Sequence, residues 1–114
     1  MPKKDVVKLP QSFDDSKNID SFLSANKNKP VVAVQGLGFV GAVMSIVCAN
    51  ALNENYAVIG LDIADNDNYW KIKGINEGIF PIESSDPKVD ILFNKAKIKN
   101  NLYATWDPYA YSKA

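Results

Sequence analysis

Short apolar runs alternate along this chain with longer segments in which apolar residues recur at helical spacing. Residues 31–34 form a β-branched run between Pro30 and Gln35, which is typical of a strand buried on both faces. An apolar, small-residue segment of helical length extends from about residue 39 to residue 53, and a second β-rich run covers residues 56–61. This part of the sequence therefore predicts a strand, a helix and a second strand in succession.

The residues before this unit predict an arm followed by one short helix. Residues 1–15 have two prolines, mixed charge and little periodicity, so we expect an extended arm that packs through Val6, Val7 and Leu9. Apolar residues at i, i+3 and i+4 from Ile19 then predict a short helix, capped by one of the polar residues at its start. We expect this helix to cover an edge or an end of the sheet.

The residues after the unit complete a predicted α/β fold. Helices are predicted over residues 69–76 and from about 87 to 99, a third strand over 101–105, and the start of another helix after residue 107. Right-handed crossovers between these strands give a Rossmann-like parallel sheet in the order 3-2-1 with helices on both faces, which is half of a doubly wound fold. We expect an N-terminal arm and helix over 1–29 and a Rossmann-like domain over 30–114 that lacks its second half.

A half-sheet leaves the outer edge of its first strand without a partner. Such an apolar edge is an aggregation liability. The N-terminal arm could cover it, a second copy could do so in a homodimer, or the chain could be a piece of something longer. We favour the last interpretation.

The turn after the first predicted strand has the glycine spacing G-x-G-x-x-G, at Gly36, Gly38 and Gly41. Gly36 permits a tight turn, Gly38 allows the backbone to approach a pyrophosphate, and Gly41 allows the helix to lie close to the sheet. The helix N-terminus favours an anion through its unpaired N–H groups, without any basic side chain. The alternative is that the glycines serve only turn geometry and packing. The strand–turn–helix–strand context favours dinucleotide binding.

Asp62 ends the second predicted strand at the distance from the glycines that the dinucleotide motif requires. There it would accept hydrogen bonds from the adenosine ribose hydroxyls, although an Asp in this place can also be a helix cap. A 2′-phosphate would meet the carboxylates of Asp62, Asp65 and Asp67. The sequence therefore favours NAD over NADP.

Composition narrows the remaining function classes. The formal net charge is zero over 114 residues, which disfavours nucleic acid or an anionic membrane as a partner. The sequence has no histidine, which argues against a zinc site or a histidine-based triad, and its single cysteine, Cys48, is expected to be a small buried hydrophobic residue. No apolar leader or membrane-length run is present, so we expect a cytoplasmic protein.

Four segments resemble the start of the UDP-glucose/GDP-mannose dehydrogenase family: GLGFVG, VIGLDI, KIKGINEGIFPIE and NLYATWD. That family has a GxGYVG turn, a strand ending in Asp, a basic residue before an IN-x-G-x-x-PI segment, and an L-x-x-T-x-D strand, in this order. The resemblance covers roughly residues 30–107. The segment at residues 75–82 distinguishes it from other Rossmann oxidoreductases, such as hydroxyacid or 6-phosphogluconate-type enzymes.

The resemblance implies a set of NAD-binding residues. The pyrophosphate turn matches Gly36, Gly38, Phe39, Val40 and Gly41, with Phe39 in place of the usual Tyr. Asp62 matches the ribose ligand, and Lys71 matches a basic residue that can reach the adenosine side of the cofactor. Apart from the resemblance, Lys71 would be a surface lysine on a short helix.

The resemblance also implies a reaction. Family members oxidise the primary alcohol of a sugar nucleotide to a carboxylate in two NAD-dependent steps on a catalytic cysteine. No catalytic residue of that kind matches a position here, so this chain would be the NAD-binding portion of an enzyme whose sugar-nucleotide substrate contacts other domains. The alternatives are a self-standing NAD-binding or regulatory module and another Rossmann oxidoreductase.

Overall fold

The computed structural model describes residues 9–10 and 14–114, and within this part the chain forms an α/β fold with one parallel sheet. The elements in chain order are α1 (Ser16–Ser24), β1 (Val31–Gln35), α2 (Phe39–Ala49), β2 (Ala57–Leu61), α3 (Tyr69–Glu77), α4 (Pro87–Lys99), β3 (Leu102–Thr105) and a 3₁₀ helix (Pro108–Lys113). The predicted element order is therefore confirmed.

The strands pair in the order β1-β2-β3, and both pairs are parallel. β1 pairs with β2 from Val31 opposite Ala57 to Gln35 opposite Leu61. β2 is buried along its whole length, while the side chains of β1 are half-buried or exposed. The predicted Rossmann-like sheet with β2 at its centre is confirmed.

Two apolar cores lie on opposite faces of the sheet. The larger one packs α2, α3 and α4 against residues such as Val58, Leu102 and Ala104. The smaller one packs α1 and the 3₁₀ helix against Ala57, Ile59 and neighbouring residues. α1 thus covers a face of the sheet rather than an edge or an end, because Ile19 and Phe22 are buried in the smaller core.

Among the residues described, β1 has a strand partner on one side only, which is β2. Val6 and Val7, through which we expect the arm to pack, lie outside the described residues, while Leu9 lies at the carboxyl ends of the strands. No helix within residues 14–114 has the length and apolar character needed to cross a membrane.

Helix ends follow the hydrogen bonds of side chains at those ends more closely than apolar spacing. The predicted helix from residue 39 ends at Ala49, about four residues early, because Asn50 donates from Nδ2 to the carbonyls of Ile46 and Leu92 at 2.8 Å. α4 begins with Pro87 after Asp86, whose carboxylate accepts the N–H of Lys88 at 2.9 Å. This is a side-chain N-cap with proline in the first turn.

Candidate functional site

The glycine turn connects β1 to α2 and brings two backbone segments into contact. Gly36 has φ of +86°, a conformation that favours glycine. A Cβ on Gly41 would lie 1.7 Å from the carbonyl oxygen of Gly36, so only glycine at 41 lets α2 begin so close to the turn. These two glycines therefore have the turn and packing roles expected of them.

Leu37 anchors this turn, and the sequence did not single it out. Its side chain is fully buried in the larger core. A Cβ on Gly60, in the centre of β2, would lie 2.7 Å from Cδ2 of Leu37. The glycine inside an otherwise apolar strand was the available signal, because such a glycine often marks the close approach of another group.

Gly38 differs from the other two glycines because its surroundings are open. It is the residue before the first turn of α2, with φ of −70° and ψ of −166°, and a Cβ there would meet no heavy atom within 4 Å. Phe39 and Val40 follow it and are largely exposed, Val40 at 74%. The first-turn N–H groups of a helix have no intrahelical acceptors, so an anion can approach them here.

Asp62 holds the glycine turn through its carboxylate. Oδ2 accepts the N–H of Leu37 at 2.9 Å, and Oδ1 accepts the N–H of Ile63 at 2.8 Å. Nζ of Lys71 lies 3.7 Å from Oδ2. A carboxylate has about four lone-pair sites, so these contacts leave acceptor capacity for a ligand hydroxyl.

Lys71 lies next to Asp62, the residue predicted to bind the ribose, rather than on a remote surface. It projects from α3, its side chain is mostly buried, and it donates to Oδ1 of Asn68 at 3.0 Å. The structure therefore brings Gly36, Asp62 and Lys71 together at the carboxyl ends of β1 and β2.

A cavity of about 620 Å³ lies at the carboxyl ends of the strands. Gly36 and Asp62 line it, together with residues that follow β2 and β3. The other lining residues are Leu9, Pro10, Gln35, Leu61, Ile63, Ala64, Trp106, Pro108 and Tyr111. In open parallel sheets, ligands bind in the crevice outside these strand ends, and the volume lies within the roughly 300–1,000 Å³ range of small-molecule sites.

A second cavity, of about 650 Å³, lies at the connection between α3 and α4. Phe80, Glu83, Ser84 and Asp90 are among its lining residues, and none of the predicted cofactor-binding residues borders it. We therefore place the candidate site at the strand ends, where Gly36 and Asp62 line the first cavity and Lys71 lies against Asp62. That cavity itself is not lined by Gly38, Phe39, Val40, Gly41 or Lys71.

The segment at residues 75–82 closes α3 and supports β3. Gly78 has φ of +89° and Ile79 donates its N–H to the carbonyl of Gly74 at 2.7 Å, which is the Schellman arrangement. The side chain of Asn76 donates to the carbonyl of Ala104 and accepts the N–H of Ala104, both at 2.8 Å. These contacts give the segment a structural role in positioning β3.

A buried carboxylate fastens the start of α1 to β3. Asp15 is 2% exposed and accepts from the hydroxyls of Tyr103 at 2.7 Å and Thr105 at 2.6 Å. Its backbone N–H donates to Oδ2 of Asp107 at 2.8 Å. Asp15 precedes α1 without a side-chain cap bond, because its carboxylate is used in this cluster. Burial, followed by the bond to Asp15, raises the pKa of Tyr103 above its ordinary value.

Cys48 is half-buried on α2 and packs against the larger core, so it is less buried than expected. Within the described part of the chain, no group of three or more histidine, cysteine, aspartate or glutamate side chains could hold a metal ion.

No protein-family model and no curated protein sequence matches this chain. Among solved structures, it is similar to the crystal structure of NDP-N-acetyl-D-galactosaminuronic acid dehydrogenase from Methanosarcina mazei Go1, with a TM-score of 0.60 and 22% sequence identity. The match covers 76% of this chain and 18% of that chain, so this chain spans less than a fifth of that protein's length. At this identity, the likeness shows a shared Rossmann-like fold.

Proposed function

We propose that this chain binds NAD at the carboxyl ends of its strands, as the cofactor-binding portion of a sugar-nucleotide dehydrogenase. The observation that supports this most directly is that Asp62 bonds to the glycine turn and that Asp62 and Gly36 line one cavity, while the N-terminus of α2 directly follows the turn. Each of these features has the chemistry that one part of a dinucleotide requires.

The residues present fit such a cofactor. The open space at Gly38 and the first-turn N–H groups at Phe39, Val40 and Gly41 would hold the pyrophosphate. Asp62 would accept from the adenosine ribose hydroxyls with the acceptor sites that Leu37 and Ile63 leave. When bound, NAD supplies a hydride acceptor, and this chain binds and orients it.

The charge around Asp62 favours NAD over NADP in this proposal. The carboxylate of Asp62 would repel a 2′-phosphate, and Asp65 and Asp67 follow it in the same connection. The cationic Nζ of Lys71 already lies 3.7 Å from Oδ2 of Asp62. A 2′-phosphate would therefore have to compete with Asp62 for Lys71.

The proposed substrate is a sugar nucleotide whose primary alcohol is oxidised to a carboxylate. The printed name of the similar solved structure is that of an NDP-sugar dehydrogenase. The segments of this sequence that resemble the UDP-glucose/GDP-mannose dehydrogenase family support the same class. The sugar-nucleotide site and the catalytic residues would then lie outside this chain.

Replacing Gly38 with alanine tests the proposal. A methyl group at 38 meets no protein atom within 4 Å, and φ of −70° suits alanine, so Gly38→Ala should keep the stability of the unaltered chain. We expect NAD binding, measured by calorimetric titration, to weaken by roughly tenfold or more, since the methyl group would stand between the helix N-terminus and the pyrophosphate.

Asp62→Asn should also weaken NAD binding, while Asp90→Asn, on the exposed start of α4, serves as the matched control. The unaltered chain should bind NAD more tightly than NADP. The proposal fails if the unaltered chain binds no NAD, or if Gly38→Ala binds NAD as tightly as the unaltered chain does. Tighter binding of NADP would overturn the cofactor preference alone.

A further inference from the structure

Leu9 and Pro10 border the candidate site from outside the nucleotide-binding unit. They lie in the N-terminal segment, before α1, yet they line the same cavity as Gly36 and Asp62. The other described lining residues are the last residues of β1 and β2 and residues that follow β1, β2 and β3. Leu9 and Pro10 therefore border a cavity whose other described walls lie at the strand ends.

The buried Asp15 cluster holds the residue just before α1 at the same end of the sheet. The carboxylate of Asp15 accepts from Tyr103 and Thr105 on β3, and its N–H donates to the carboxylate of Asp107 just beyond β3. Because Thr105 and Asp107 lie at the carboxyl end of β3, the cluster holds Asp15 at the edge of the sheet where the cavity opens. Trp106 and Pro108, next to Asp107, line that cavity.

The cavity lies on the adenosine side of the proposed cofactor site. It is bordered by Asp62 and by Ile63 and Ala64 beyond it, and its lining does not include Phe39, Val40 or Gly41 at the helix N-terminus. If the pyrophosphate binds at that helix N-terminus and the ribose at Asp62, the space beyond Asp62 is left for the base.

We propose that Leu9 and Pro10 form an apolar wall against the adenine ring of the bound dinucleotide, opposite the side chains that follow β2 and β3. This inference rests on the proposed NAD site. Leu9 is 37% exposed, so a purine placed beside it would bury apolar surface on both partners. The cavity of about 620 Å³ exists with both residues in place, so they border the ligand space rather than fill it.

The experiment compares Leu9→Ser with Leu52→Ser in the full chain. Leu52 is 99% exposed and lies in the connection between α2 and β2, so its variant makes the same chemical change away from the cavity. Binding of NAD, ADP and nicotinamide mononucleotide is measured by calorimetric titration, with urea unfolding to compare stabilities. Leu9 belongs to neither apolar core, so Leu9→Ser should fold normally.

We expect Leu9→Ser to weaken NAD and ADP binding by roughly three- to tenfold, because it removes an apolar contact with adenine. Binding of nicotinamide mononucleotide, which has no adenine, should stay as in the unaltered chain. Leu52→Ser should change none of the three affinities.

The inference is overturned if Leu9→Ser binds NAD and ADP as tightly as the unaltered chain, or more tightly, since a gain would mean that Leu9 obstructs the site. It is also overturned if all three ligands weaken equally, because the effect would then not be specific to the base. Failure of the proposed function has a different signature, which is that the unaltered chain itself binds neither NAD nor ADP.

Discussion

Gly36 and Gly41 meet each other across the turn that connects β1 to α2. The positive φ of Gly36 aims its carbonyl at the place where a side chain on residue 41 would stand. Gly38, between them, has open space around it. The fold therefore requires glycine at positions 36 and 41. At position 38 it does not, and glycine there would be needed only to leave room for a ligand.

Gly41→Ala should strongly destabilise the fold. Its Cβ would lie 1.7 Å from the carbonyl oxygen and 2.8 Å from the carbonyl carbon of Gly36, which cannot move aside as a flexible side chain could. We expect the free energy of unfolding, measured by urea denaturation, to fall by roughly 3 kcal/mol or more, in the range of overpacking and backbone strain. Gly38→Ala is the control, and equal stabilities of the two variants would contradict the contact.

Tyr103 should lower the free energy of unfolding as pH rises into the alkaline range. Burial and the bond to Asp15 raise its pKa in the folded state, so the unfolded chain loses this proton first. The resulting stabilisation is complete below the unfolded pKa of about 10 and is lost as pH rises above it.

Tyr103→Phe should reduce this dependence. We expect the variant to be less stable near neutral pH, since Asp15 loses a donor, but its urea midpoint should fall less between about pH 8 and about pH 10.5 than that of the unaltered chain. Tyr111→Phe, on the 3₁₀ helix, is the comparison, because it removes a tyrosine hydroxyl elsewhere. An unchanged alkaline decline in Tyr103→Phe would disprove the assignment.

At the scale of elements, the side chain of Asn76 on α3 forms hydrogen bonds with the backbone of β3, as a neighbouring strand would. Asn76 makes both a donor and an acceptor bond with the backbone of Ala104. The backbone groups of β3 at this position therefore have partners although β3 lies at the edge of the sheet. The asparagine in the segment at residues 75–82 therefore has a structural role that does not depend on a ligand.

Asn76→Ala should lower stability by roughly 2 kcal/mol, since it leaves two backbone groups of the buried Ala104 without these partners. Asn76→Asp should be no better, because a carboxylate can accept from the N–H of Ala104 but would repel its carbonyl oxygen. Asn94→Ala, exposed on α4, is the matched control in urea denaturation. If Asn76→Ala unfolds at the same urea concentration as Asn94→Ala, the two hydrogen bonds between Asn76 and Ala104 contribute little to stability.

For the whole molecule, the notable feature is apolar surface on α2 together with an edge of β1. Met44 and Val47 are each 49% exposed, and Val40 lies on the same face one turn earlier. Within the described residues, β1 pairs on one side only. A strand edge and an apolar helix face of this kind are typical of surfaces that other protein elements cover.

The chain by itself should therefore self-associate as its concentration rises. We expect the mass measured by light scattering after gel filtration to increase with concentration, and Met44→Lys with Val47→Lys to reduce that increase. Leu52→Lys, which changes an isolated exposed leucine, should not. A monomer of 12.6 kDa at all concentrations would instead favour a self-standing module.

The sequence by itself determined the elements of this protein and their order. Apolar periodicity, the prolines and glycines at element ends, and the acidic caps are local signals, so β1, α2, β2 and the later elements follow from residues close together in the chain. The prediction of Gly36 and Gly41 as turn and packing residues has the same origin. The helix end at Asn50 was missed because it depends partly on a carbonyl of α4.

Only the tertiary structure decided which distant residues meet. The burial of Asp15 against Tyr103 and Thr105, the packing of Leu37 over Gly60, and the approach of Lys71 to Asp62 each join segments from different elements. A periodic pattern records which face of an element is buried, but it does not record which partner covers that face. The cavity at the strand ends likewise joins Leu9 and Pro10 to residues near the ends of all three strands, which are far apart in the chain.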